Sequence, residues 1–274
     1  MAFIDKYFTE DKTTYSAYGI TAYVFNDALS AQFINDCLVP FREAYIKEEK
    51  LVQIVNDFNT TRQQEIQERL PKSTAVVAGD FGEILTYYLA TQVWQTDVNV
   101  CPMKWRLKDK KDAASHYSDV ILFKLGENGP LIDDAMYSFE AKVRSTGPAG
   151  NYKVESGYKS GKPECVFIDA VMDAEKDRVS RAAETINYLL VRYKDLGLKE
   201  EYDKIFRFAN PYCTVSYHKE HSAVAIIDSA YTAQQFSKLP PDLFANFPEI
   251  RVLFVPIKDL KLLYERVYAQ LSNT

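Results

Sequence analysis

Residues 137–145, Tyr-Ser-Phe-Glu-Ala-Lys-Val-Arg-Ser, alternate between apolar and polar so strictly that a β-strand is the one regular element that sorts them. Tyr137, Phe139, Ala141 and Val143 share one face; Ser138, Glu140, Lys142 and Arg144 share the other. The apolar face belongs in a core. The polar face sets a carboxylate and an ammonium side by side, about 7 Å apart along a strand. A solvent-facing salt bridge would explain that pair, and so would a catalytic pair. The flanking sequence has to decide between them.

The pattern along the chain predicts a mixed sheet flanked by helices, an α/β (α+β) class. A strand over residues 19–26 is followed by helices over 27–38 and 40–70, and Pro71 then closes an N-terminal block. Residues 79–94 form a helix that is apolar on most sides and hence buried. Strands are expected over 98–108, 118–125, 135–145 and 164–172, with a long helix over about 174–196. Residues 213–229 read as a hairpin turning at Lys219-Glu220-His221, and 251–257 as a last strand before an amphipathic helix to 271. The expected division is an accessory region over 1–75 and a core over 76–274.

The 274 residues carry a net charge of −5, unlike a free-standing nucleic-acid binder. Residues 101–162 depart from that balance, with 11 Lys and Arg against 8 Asp and Glu. No apolar run approaches the length of a membrane span, and no targeting segment is visible, so a cytoplasmic protein is expected. Cysteines 37, 101, 165 and 213 are scattered without paired spacing, which suits reduced packing residues.

Two further acidic placements, together with Glu140, need a reason beyond packing. Glu83 lies on the stripe that Tyr87, Ala90 and Trp94 share on the buried helix. Asp119 opens the apolar strand Val-Ile-Leu-Phe, and Glu140 lies on the next strand with Lys142 two residues on. Buried carboxylates are costly unless paired or metal-bound. A hairpin would bring Asp119 to Glu140, and the helix would supply Glu83. Hard oxygen ligands of this kind suit Mg²⁺, and an adjacent lysine can orient the attacking water and stabilise charge on a phosphate. Taken singly, Glu83 could instead be a helix N-terminal charge and Asp119 a strand-entry cap.

These residues resemble the three motifs of the PD-(D/E)xK nuclease superfamily: Gly82-Glu83, Ser118-Asp119-Val120 and Glu140-Ala141-Lys142. Ser118 stands where the superfamily's name has proline. Over its whole length the chain is more closely similar to the HamA family, nuclease subunits of the Hachiman anti-phage system. The resemblance implies a restriction-endonuclease-like core with an N-terminal helical extension, and a DNase dependent on Mg²⁺ or Mn²⁺. It implies a metal held by Asp119, Glu140, the Ala141 carbonyl and Glu83, the last directly or through water, with Lys142 serving the nucleophile. It also implies DNA and a HamB-like superfamily 2 helicase as partners. His116, Arg144, Lys153, Lys159 and Lys162 are the expected DNA contacts, and residues 1–75 the expected helicase-docking surface.

Other signals are thinner. Cys213, His218 and His221 offer three soft ligands without a fourth. Residues 157–163 imitate a phosphate-binding loop but place Pro163 where Ser or Thr must meet Mg²⁺. The rival functional readings are an inactive nuclease fold kept as a binding module, and a stand-alone restriction or repair nuclease.

Overall fold

The computed structural model describes residues 3–113, 117–127, 133–146, 165–209, 216–239 and 242–274. Six strands form one sheet: β1 (Phe8–Asp11), β2 (Thr21–Phe25), β3 (Val120–Lys124), β4 (Ala135–Arg144), β5 (His218–Asp228) and β6 (Ile250–Ile257). Their order is β1-β2-β6-β5-β4-β3. The two edge pairs, β1–β2 and β3–β4, are antiparallel, and the inner pairs are parallel. The expected mixed sheet flanked by helices is therefore observed.

Helices cover both faces. On one side α1 (Ser30–Tyr45), α4 (Thr74–Leu89) and α9 (Leu260–Leu271) pack on Tyr137, Phe139, Val224, Ile226, Leu253 and Val255. On the other, α5 (Val166–Lys176) packs on Ala223, Ala225, Val252 and Phe254, while α6 (Ala182–Asp195) and α7 (Lys199–Ala209) pack on Ile121, Phe123 and Met136. The polar face of residues 137–145 thus looks at a second layer of helices. The solvent-facing explanation of Glu140 and Lys142 fails on this geometry.

Residues before 75 join the same sheet through β2 and the same core through α1. No helix among the described residues is long and apolar enough to cross a membrane.

Four expectations are corrected. The single helix over 40–70 is instead the end of α1, which runs through Pro40, followed by α2 (Glu48–Phe58) and α3 (Arg62–Arg69). The breaks lie at extended Ile46 and at Asn59, whose φ of 52° is left-handed, and Thr61 with Gln64 makes a capping box that starts α3. Residues 98–108 contribute one isolated bridge, Val100 to Phe123, and then a 3₁₀ turn at Lys104–Leu107. The apolar run after Cys165 is helix α5, not a strand, because a short run buried on one side fits either period. It continues through a π-helical turn, Asp177–Arg181, into α6. The hairpin expected over 213–229 is replaced by the single parallel strand β5, with Lys219 to His221 inside it; Cys213 lies outside the described residues.

Helix α4 meets β4 at Gly82. A Cβ added there would lie 2.2 Å from Val143 Cγ2, so only a bare backbone permits this approach. Gly82→Ala is expected to cost about 1–3 kcal/mol of stability through overpacking. Adding Val143→Ala should recover part of that loss in urea denaturation. An unchanged midpoint for Gly82→Ala alone would show that the helix does not sit this close to the strand.

Candidate active site

The site begins where β3 stops pairing. Val120 opposes Phe139 and is the first β3 residue, so β4 from Glu140 to Arg144 pairs only with β5. Asp119 occupies the edge thus left open. Its Oδ2 accepts the Ala141 N–H at 2.9 Å, and its own N–H donates to Glu140 Oε1 at 3.2 Å. A strand residue sends its N–H and C=O to the same edge, so the Ala141 carbonyl also faces the Asp119 side. Two carboxylates and one carbonyl expected as metal ligands therefore converge. Neighbouring bonds fix the entry to β3: Ser118 donates its N–H to Thr185 Oγ1 at 3.0 Å, and buried Lys104 donates to the Ser118 carbonyl.

Glu140 is 1% exposed. Two cations reach it: Arg181 Nη2 lies 2.8 Å from Oε1, and Lys142 Nζ lies 3.4 Å from Oε2. Lys142 is held more closely by Asp173 Oδ2, at 2.6 Å, and Arg181 Nε donates to Asp177 Oδ1 at 2.7 Å. Burial, with Asp119 and Asp177 adding repulsion, pushes the Glu140 carboxyl well above the ordinary carboxylate range. Burial also raises Asp177, against the pull of Arg181. Burial lowers the proton affinity of Lys142, but Asp119, Glu140 and Asp173 outweigh it, and the net shift is upward. The group is an acid-rich cluster in which Lys142 stays an ammonium.

Of the other expected residues, Glu83 and Arg144 are among those described. Glu83 sits on α4, in the helix layer on the far side of the sheet from the Glu140 face, where its Oε2 accepts from Trp105 Nε1 at 3.0 Å. Arg144 is half-buried on the Lys142 face, at the end of β4. His116, Lys153, Lys159 and Lys162 lie outside the described residues. His218 and His221 are three apart on β5 and so point to opposite faces, which removes the soft-metal reading. Among the described residues no group of three or more His, Cys, Asp or Glu is arranged to hold a metal ion; the convergent donors are two carboxylates and a carbonyl.

Asp173, Asp177 and Arg181 were not anticipated: the strand expected over 164–172 ended before Asp173, and the helix expected over 174–196 did not say which strand Asp177 and Arg181 would face. Their spacing by four residues was the available signal.

A mixed α/β sheet with an acid and lysine cluster at the open edge of an inner strand defines the class of this protein. The chain matches the HamA family model over residues 1–271, and it belongs to that family, a component of the Hachiman anti-phage defence system. No curated protein matches it.

His221 supplies a test of this face of the sheet. Its Nδ1 lies 2.7 Å from Ser138 Oγ, and burial, with Lys219 and Arg178 nearby, lowers its pKa from 6.5 to about 4. The neutral ring is therefore favoured in the fold, and the stability it brings is fully present above pH 6.5 and lost as pH falls towards 4. Between pH 7 and pH 5 the wild type should lose about 1–2 kcal/mol more than His221→Gln, at about 1.4 kcal/mol per pH unit within the window. Urea midpoints of both proteins at the two pH values measure the difference. Equal losses would mean that His221 is not buried as described.

Proposed function

We propose that this chain is a Mg²⁺- or Mn²⁺-dependent deoxyribonuclease that hydrolyses DNA phosphodiesters within the anti-phage system, working with a superfamily 2 helicase partner. One observation carries the reading: Asp119, Glu140, the Ala141 edge and Lys142 meet where β3 leaves β4. That is also where a restriction-endonuclease-like core would keep its chemistry.

The donors fit a hard divalent cation, because all are oxygens and the buried Glu140 carboxylate lies in an excess of negative charge. Asp119, Glu140 and the Ala141 carbonyl would hold the metal, which would polarise the phosphate and lower the pKa of a bound water. Glu83 on α4, which accepts from the Trp105 indole, would complete the acidic cluster through water. Lys142 supplies a positive charge held among carboxylates. It orients the attacking water and offsets charge growing on the phosphate oxygens. Arg181 holds the Glu140 carboxylate in place from the helix side.

A net charge of −5 gives weak unaided capture of DNA, which favours delivery by a partner. A binding module without catalysis would have no use for a half-buried Lys142 among carboxylates.

Plasmid nicking with Mg²⁺ and with EDTA, by the chain alone and with its helicase, separates the readings. Replacing Glu140 and Lys142 together by Ala should leave a soluble, folded protein, because Arg181 keeps Asp177 and Asp173 keeps Lys176 when both are removed. Its nicking rate should fall about 100-fold or more. Wild-type activity in that variant would return the pair to a purely structural role.

A further inference from the structure

The helical rod behind β4 has an irregularity that the sheet does not require. Asp173 ends one turn of α5, Asp177 opens the π-helical turn, and Arg181 closes it. Four residues of α-helix overshoot a full turn by about 40°. Four residues of the wider π turn, whose bonds run to the fifth residue, fall short of one. One step of each kind in succession cancels the drift, so Asp173 and Arg181 project from the same side of the rod. Both reach β4. Asp173 Oδ2 takes Lys142 Nζ at 2.6 Å, and Arg181 Nη2 takes Glu140 Oε1 at 2.8 Å.

The two partners of Lys142 are unequal. Glu140 is adjacent on the strand face, yet its Oε2 is 3.4 Å away, at the edge of hydrogen-bond reach. Asp173 comes from a different element and is 0.8 Å closer. With Arg181 on Glu140 and Asp173 on Lys142, the ammonium is drawn off its neighbouring carboxylate towards the helix. Asp173 itself is anchored on its other oxygen by Lys176, at 2.6 Å.

We propose that Asp173 is a positioning residue for Lys142: it holds the ammonium away from Glu140, in the place from which it meets the attacking water, while the π turn brings Arg181 to Glu140 from the same side of the rod. The inference rests on the nuclease reading above. An untethered lysine would collapse onto Glu140 and compete for the carboxylate oxygens instead of presenting a charge to the substrate.

The test uses full-length chain with its helicase partner, supercoiled plasmid and Mg²⁺, comparing wild type, Asp173→Asn and Asp173→Glu. Asp173→Asn should lower kcat about 10- to 100-fold, as loss of a supporting partner does at metal sites, with KM for DNA unchanged. Asp173→Glu, which restores the charge one methylene further out, should recover most of the rate. Crystal structures without metal give a readout independent of activity: in Asp173→Asn, Lys142 Nζ should move onto Glu140 Oε2. Wild-type kcat in Asp173→Asn, or an unmoved Lys142, overturns the inference and leaves the nuclease reading intact. Equal loss in Asn and Glu variants with lowered thermal stability assigns Asp173 to folding alone and also overturns it. A wild-type complex that does not nick DNA overturns the nuclease reading, and this inference with it.

Discussion

Burial of the Glu140 carboxylate is the constraint around which the rest of this structure is arranged. At 1% exposure it cannot be left to water, and removing the compensation of a buried ion costs on the order of 3–5 kcal/mol. The fold answers with charges from two directions: Lys142 along the same strand and Arg181 from the helix packed over it. Further acids, Asp119, Asp173 and Asp177, then surround those cations. The cluster keeps more carboxylates than cations, and the upward shift at Glu140 expresses that surplus.

Several features that look unrelated serve this arrangement. The early end of β3 leaves an edge of β4 on which Asp119 can bond the Ala141 N–H. Gly82 lets α4 close on the opposite face, against Val143 of β4. The parallel pairing of β4 with β5 needs a long crossover, and that crossover is what carries Asp173, Asp177 and Arg181 over the polar face. A hairpin in its place would have had no helix to deliver them.

Much of this was legible in the sequence, and the losses have physical causes. Strict alternation over 137–145 fixed β4 and its two faces, and the apolar run after Asp119 fixed β3, so the meeting of Asp119 with Glu140 followed from adjacent strands alone. The burial of Glu83 was legible from its place on a helix stripe, but a stripe does not say which side of the sheet its helix will cover. Cys165 to Val171 is apolar enough for a buried strand or for a helix on a parallel sheet; tertiary packing decided, and with it went the residues that pair with Lys142 and Glu140. The strand seen in 98–108 failed for a related reason, since Lys104 and Arg106 alternate there but turn inward to bond the Ser118 and Glu43 carbonyls.

The central claim is that the open edge of β4 holds a divalent cation between Asp119 and Glu140. Calorimetric titration of Mn²⁺ into the wild-type chain and into Glu140→Gln tests it without any assumption about substrate. The account predicts one saturable site in the wild type that the uncharged isostere loses. Equal binding in the two proteins, or none in the wild type, would contradict it.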